Sequence, residues 1–465
     1  MKDSTAIGDI ERAIVTPVVE TLAADLLTPL AVYLKLSANS KNSFLLESVE
    51  GGKSLARYSF IGADPVEVVS GGREAYDRLR DHFLFRFTSH ETDLPPFIGG
   101  AIGYFGFDAC EWFEPSLARE RQSDDVCSFM FYRSVVAFDH AKQVIKIISL
   151  DFDGASHKAA GRNAEIRSML AQPTVPLPPK SAEGIKSGQP SSNWTRTDFE
   201  AAVAKIKELI YAGEAYQIVL SQCFTRQTTA SPVAIYRALR SLNPSPYMFL
   251  LNFGSRQVIG ASPEMLVRGE GDRLEYRPIA GTRPRGKTHP EDDALAEEMR
   301  NDEKEVAEHQ MLVDLGRNDL GRVAEYGSVK VESLMQVEKY SHVQHLVSSL
   351  SATLRDGMDR FDALAACFPA GTVSGAPKVS AIKIIRELEP TPRGVYAGAV
   401  GYFDYVGNMD TCIAIRTLVL ENGIATVQAG AGIVADSVPA REFDETVNKA
   451  KGLLMAIDIA EGGGE

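Results

Sequence analysis

Two short stretches each hold a pair of glutamates three positions apart: EVAEH at residues 305–309 and EFDET at residues 442–446. At about 100° per helical residue the members of a pair project about 60° apart, so both carboxylates can address one small target. In the first segment Glu305 and Glu308 sit off the apolar stripe formed by Leu295, Met299 and Val306. In the second, Phe443, Val447, Ala450, Leu454 and Ile457 form an apolar seam, while Glu442, Glu445 and Lys449 share a different strip. Singly, each pair reads as a solvated helix face. As a set, four carboxylates offer oxygen-only ligation, which suits Mg2+ and leaves positions for water or an anionic substrate. A di-iron bundle would want Glu-x-x-His on two helices, and a zinc protease a first histidine that EVAEH lacks; His309 follows Glu308 directly and meets neither pattern.

Two glycine-rich segments offer backbone N–H groups able to hold a carboxylate. GAGIVA at 430–435, containing Gly430 and Gly432, has G-x-G-x-x-A spacing, but Pro439 stands where a dinucleotide-binding helix should be running. FPAGTVSGAPK at 368–378, which carries Thr372, lacks both the spacing and the lysine of a P-loop. Arg416 lies in the apolar run CIAIRTLVL and needs an anionic partner, either an acid of the protein or a ligand. His345, in SHVQHLVSSL, reads as either a structural or a catalytic histidine.

Positioning these groups falls to elements on either side of a seam at 171–194, AQPTVPLPPKSAEGIKSGQPSSNW, which is rich in Pro, Ser, Gly and Lys. Before it, SFLLES (43–48), RYSFIG (57–62), SFMFYRSVVAF (128–138) and QVIKIISL (143–150) predict mostly antiparallel sheet. After it, TRTDFEAAVAKIKELIYAG predicts a helix capped by Thr195 and stopped at Gly213. Strands QIVLSQCFT, MFLLNF, QVIGAS, GAVGYF, CIAIRTLVL and IATVQAGAGIV follow. GGAIGYFGF at 99–107 and AGAVGYFDY at 397–405 echo each other, either by coincidence or as related strands in adjoining sheets.

The chain is 465 residues long, 44% hydrophobic, with a formal net charge of −13, a balance that argues against a nucleic-acid scaffold. Its five cysteines form no CxxC pair, so neither a disulfide framework nor a zinc knuckle is expected, and a reducing cytoplasm fits. No apolar run approaches the roughly 20 residues needed to span a bilayer, and the N-terminus lacks the apolar stretch of a secretion signal.

In order, LLES, RYSFIG, AYQIVLSQ, NPSPYMF, ASPEMLVR, RPIAGTRPRG, LVDLGRNDLGRV, FPAGTVSGAPK, GAVGYFDYVGNMDTCIAIRT and QAGAGIVADSVPAREFDETVNKA resemble the large, aminating subunits of anthranilate synthases, among the chorismate-utilising enzymes. The resemblance implies an α+β fold of β-sheets packed face to face and flanked by helices. It implies an N-terminal region at 1–170, a linker at 171–194 and a chorismate-binding catalytic region at 195–465. It also implies Mg2+ on the ring carboxylate of chorismate, with Glu308 and Glu445 as metal carboxylates and Glu305 and Glu442 supporting through water. Tyr396, Arg416 and the Gly432 N–H would grip the enolpyruvyl carboxylate, and Gly430, Lys449 and the catalytic loop bearing Thr372 would complete the pocket. Glu264 of ASPEM would protonate the departing 4-hydroxyl, and His345 would take the ring proton as pyruvate leaves.

The implied reaction is attack of ammonia at C2 of chorismate, giving an aminodeoxyisochorismate that loses pyruvate to become anthranilate. Gln217 stands where isochorismate and salicylate synthases carry a water-activating lysine. PIAGT, with Ala280, Gly281 and Thr282, stands where aminodeoxychorismate synthases carry PIKGT. Ser48, Pro246, Tyr247 and Met248 resemble the family's tryptophan pocket, which implies feedback inhibition. No cysteine sits in a nucleophile turn such as G-x-C-x-G, so use of glutamine implies a separate amidotransferase subunit, commonly in a complex with two copies of each. The rival expectations are an aminodeoxychorismate synthase large subunit with an atypical PIAGT, and a catalytically silent tryptophan-binding regulator.

Overall fold

Along Asn42–Glu47 successive side chains enter two different cores: Phe44 packs between two sheets, and Leu45 packs under helices outside them. A strand covered on both faces reads as an unbroken apolar run, which is why SFLLES shows no polar alternation. The structure, a computed structural model, describes residues 13–48, 57–84, 93–120, 125–173, 188–340 and 343–462, with the backbone of 86–87.

Two large sheets lie face to face. The twelve-stranded sheet runs Ser191–Ser192, Gln217–Gln227, Ile424–Ile433, Thr417–Glu421, Arg256–Ser262, Tyr247–Phe253, Asn42–Glu47, Tyr58–Ala63, Ser134–Asp139, Val144–Asp151, Thr16–Ala23, with Gly375–Ala376 attached to Gln217–Gln227. The ten-stranded sheet runs Ile279–Pro284, Val343–Thr353, Arg273–Tyr276, Met265–Glu270, Met409–Ile413, Ala399–Asp404, Gly100–Phe105, Cys127–Tyr132, Glu67–Gly71, with Lys330–Lys339 on Val343–Thr353. Pairing within both is antiparallel. Phe60, Phe97, Met130, Tyr132, Phe249 and Tyr402 fill the layer between the sheets. Helices Pro29–Ser37, Ser156–Ala171, Pro232–Leu242 and Pro439–Ala460 cover the outer face of the larger sheet. This is the α+β arrangement expected.

Strands from both sides of the 171–194 stretch join each sheet. Within that stretch residues 174–187 lie outside the described residues, while Ser191 and Ser192 pair with Thr225 and Phe224, and the Trp194 indole donates to the Ser221 carbonyl at 3.1 Å. Among the described residues no helix is long and apolar enough to cross a membrane.

Four local expectations need correction. CIAIRTLVL is not one strand: it leaves the ten-stranded sheet after Ile413 and resumes at Thr417 in the twelve-stranded one. SFMFYRSVVAF breaks the same way at Arg133. The echoing GYF strands are direct neighbours in one sheet, with Gly103 opposite Gly401, rather than members of adjoining sheets. The acidic-helix stripes also differ. Leu295 and Met299 belong to His289–Asn301, whereas Val306 belongs to a separate helix, Glu303–Gly321, whose N-cap Asp302 accepts from the N–H groups of Lys304 and Glu305. In Pro439–Ala460 the buried face is Thr446, Ala450, Leu453, Ala456, Ile457 and Ala460, and Val447 is turned outward.

Candidate active site

Two neighbouring strands change sheets at the same place. Arg256–Ser262 pairs with Thr417–Glu421 in one sheet, and their continuations, Met265–Glu270 and Met409–Ile413, pair in the other. The corner is tied by Ile413 N–H donating to the Glu264 carbonyl at 3.0 Å and Ala261 N–H donating to the Arg416 carbonyl at 3.1 Å. Switching sheets interrupts the ladder and opens a cleft. Glu264 stands in one crossing and Arg416, at φ 48°, in the other.

A cavity of about 610 Å3 opens at this corner, lined by Gln217, Glu264, Ala280, Gly281, Thr282, Glu305, Glu308, His345, Thr372, Tyr396, Arg416, Gly430, Gly432, Glu442, Glu445 and Lys449. Every residue expected to be catalytic, substrate-binding or metal-holding is thus on one wall or another. Two glycines are there for space: a Cβ on Gly430 would sit 2.6 Å from the Tyr396 hydroxyl, and one on Gly432 would sit 2.5 Å from Gln217 Nε2. Gly281, at φ 65°, also needs its left-handed conformation, with Met299 and Glu305 close by.

Glu264 is 7% exposed, and burial pushes its carboxyl up to about 8, with the Thr372 hydroxyl and Lys449 opposing weakly. Thr372 Oγ1 is itself buried and makes no hydrogen bond of ordinary geometry. Arg416 forms no ion pair among the described residues, and desolvation lowers its pKa against a small opposing effect of Tyr396. Among the described residues Arg416 therefore has no internal carboxylate partner, and it lines the cavity.

On the opposite wall burial, then the charge of Glu305, raises Glu308; burial also raises Glu442, with Glu445 adding to it. Arg283 holds Glu305 at 3.1 Å, and Lys449 holds Glu445 at 2.7 Å while donating to the Gly430 carbonyl at 3.0 Å. Crowded hard oxygens whose ionised forms are disfavoured are what a divalent cation relieves. Among the described residues no three His, Cys, Asp or Glu side chains form a ready-made metal cage. His309 is no ligand: it is fully buried and bonded to Ser348 at 2.6 Å.

His345 lies on the strand Val343–Thr353. Its Nδ1 is 3.0 Å from both the Gly281 carbonyl and the Thr282 hydroxyl. A carbonyl can only accept, so Nδ1 carries the proton and the lone pair of the neutral ring is on Nε2. The PIAGT segment thus orients the imidazole.

Sequence reasoning missed Lys304, Val219 and Gln428, which also line the cavity. Gln428 was findable as the polar residue in an apolar run; Lys304 looked like any exposed helix charge. A second cavity, between the sheets, is lined by Ser48, Pro246, Tyr247 and Met248 together with Arg268, Tyr402 and Asp410. Tyr247 donates to Asp410 at 3.1 Å, and Ser48 Oγ is buried without a partner among the described residues.

Comparison with known proteins gives consistent findings. Residues 41–455 match the model of the chorismate binding enzyme family. The chain is 45% identical to anthranilate synthase component 1 of Pseudomonas putida, covering 95% of each chain. It is also 45% identical to the protein of the same name from Thermus thermophilus, covering 97% of this chain and 99% of that one. The crystal structure of anthranilate synthase component I from Streptococcus pneumoniae superposes with a TM-score of 0.77 at 36% identity, over 93% of this chain and 98% of that one. The menaquinone-specific isochorismate synthase of Escherichia coli shares the fold, with a TM-score of 0.73 at 21% identity.

Proposed function

Since the chain belongs to the chorismate-binding enzymes, in their anthranilate synthase component 1 group, we propose that it converts chorismate and ammonia to anthranilate and pyruvate. The observation that carries this is the pairing, in one cavity, of a half-buried Arg416 that forms no ion pair among the described residues and a buried Glu264 whose carboxyl burial pushes up to about 8.

Arg416, the Tyr396 hydroxyl and the Gly432 backbone hold the enolpyruvyl carboxylate, and Lys449 adds a cation beside it. The carboxylates of Glu308 and Glu445, with Glu305 and Glu442 behind water, would hold Mg2+ against the ring carboxylate. Bound there, the ion supplies Lewis acidity that draws electrons through the ring and eases loss of the 4-hydroxyl. Ammonia forms the N–C2 bond, the two ring double bonds shift, and the C4–O bond breaks as Glu264 gives its proton to the departing oxygen, releasing water. In the second stage His345 Nε2 takes the C2 proton and the C3–O bond breaks, so the ring becomes aromatic and the enolate of pyruvate leaves, taking up a proton at its methylene carbon to become pyruvate. Gln217, a neutral amide, cannot generate hydroxide from water, and Ala280 cannot act as a nucleophile. Both favour ammonia as the group added at C2.

Ammonia would come from glutamine through a separate amidotransferase subunit, and tryptophan would inhibit by filling the second cavity, where the buried Ser48 hydroxyl has no hydrogen-bond partner among the described residues. The test is direct. The purified chain with chorismate, Mg2+ and ammonium should yield anthranilate fluorescence, which tryptophan suppresses, and should yield none from glutamine alone. Formation of the 4-amino isomer, or tryptophan binding without turnover, would overturn the proposal.

A further inference from the structure

We propose that the buried pair Glu389–Arg393 is a positioning device that holds three separate walls of the active site in one register; this rests on the reaction proposed above. Glu389 caps the helix Lys378–Leu388, and Arg393 follows four residues later, their side chains 4% and 2% exposed. Arg393 Nε and Nη2 meet the two Glu389 oxygens at 2.8 and 2.7 Å. What remains of the guanidinium reaches outward. Nη1 donates to the Val373 carbonyl at 2.7 Å, next to Thr372, and Nη2 donates to the Val219 carbonyl at 2.7 Å, two residues from Gln217. The guanidinium lies over the Tyr396 ring at 5.5 Å and the Phe107 ring at 4.6 Å, and the Tyr396 N–H returns to the Arg393 carbonyl at 3.2 Å.

Glu389 extends the reach. Its Oε1 accepts from the Ser221 N–H at 2.8 Å and from the Ser221 hydroxyl at 2.7 Å, and that hydroxyl accepts from Gln428 Nε2 at 2.8 Å. The Thr372 loop, the Gln217 strand, Tyr396 and Gln428 therefore all hang on one ion pair. Stability does not explain it, because a well-packed apolar pair of similar volume is often as stable as a buried salt bridge. What an apolar pair cannot do is direct bonds to carbonyls of two different segments while gripping an aromatic face. The planar fork of arginine does both, and lysine, a single point donor, does not.

Arg393→Lys should lower kcat at least about tenfold, since displacement of site groups by about 1 Å can cost about a hundredfold. With the Thr372 hydroxyl drawn off Glu264, the basic limb of the kcat profile should move to higher pH, while Mg2+ affinity and the melting temperature stay near wild type. Hydrogen–deuterium exchange should rise in peptides covering 370–376 and 217–221, and not generally. Ser221→Ala, a milder change, removes the hydroxyl's bond to Glu389 and with it the link to Gln428, keeps the Ser221 N–H on Glu389, and should raise the chorismate KM several-fold, about threefold or more, without moving the pH limb. Wild-type pH profiles and exchange in Arg393→Lys would overturn the positioning role, as would a kcat loss matched by an equal loss of folded protein. Wild-type enzyme that makes no anthranilate fails the proposed reaction instead, and the exchange measurement still decides the clamp.

Discussion

The sharpest consequence of the site concerns the protonation of Glu264. With its carboxyl pushed up to about 8, about nine-tenths of the enzyme carries the proton at pH 7 and about one-tenth at pH 9. At the ordinary value of 4.5, only about one molecule in 300 would carry it at pH 7. Burial at the sheet corner thus multiplies the available acid by roughly 300-fold, equivalent to about 3 kcal/mol. The sign follows: the acid form is required, so kcat is level below about pH 8 and falls as pH rises through that value. The assay is initial anthranilate fluorescence from pH 6 to 10, with saturating chorismate and Mg2+ and with free ammonia, not total ammonium, held constant. Glu264→Gln, which keeps shape and neutrality but has no acidic proton, should lose about a hundredfold to ten-thousandfold in kcat with little change in chorismate KM. Thr372→Val removes a group that holds the Glu264 pKa down, so its basic limb should lie higher than wild type. A kcat that stays level to pH 10, or a Glu264→Gln enzyme with more than about a tenth of wild-type activity, would refute this role for the residue.

Other outcomes follow from the same geometry. Glu308→Ala and Glu445→Ala should each abolish Mg2+-dependent turnover with the melting temperature unchanged, because the first removes a half-buried charge repelled by Glu305 and the second a half-exposed one; calorimetric titration with Mg2+ checks the cause. Arg416→Leu should raise the chorismate KM by about 10- to 150-fold, the worth of a charge-assisted hydrogen bond, and should not destabilise the fold, since no carboxylate is left behind. A sharp fall in melting temperature with KM unchanged would instead reveal an internal partner. Ser48→Leu should blunt inhibition by tryptophan while uninhibited kcat stays as it was, measured by the tryptophan dose response of the same assay.

How much of this was legible in the sequence depends on which interactions set each feature. Glu305, Glu308, Glu442 and Glu445 were readable because helical periodicity is local: three positions apart means one side of a cylinder, whatever the rest of the chain does. The strand runs were readable for the same reason. What could not be read was the sheet each run joins. CIAIRTLVL carries no sign of its break at residues 414–416, because hydrogen-bond partners in a sheet are chosen by distant segments, here 256–262 on one side and 265–270 on the other. Arg416 was noticed as an odd charge in an apolar run, yet its left-handed backbone and its lack of an acidic partner are properties of the corner. Glu389 and Arg393 escaped altogether, since ELEPTPRG has the two prolines and mixed charges of an ordinary surface turn.

The corner also explains why the chemistry gathers where it does. Inside either sheet, backbone groups are paired and the faces are packed, so a carboxyl or guanidinium there is already held by a partner, as Arg268 is by Glu275. Where two paired strands switch sheets together, the ladder lapses for the few residues between them, and side chains there face a cleft instead of a core. A carboxylic acid in that position is desolvated enough to stay protonated, and an arginine three residues past the other strand's end is desolvated enough to seek an anion. The proposed acid and the proposed anion grip are therefore consequences of one topological event, and a change that restored a continuous strand through 414–416 should remove both at once.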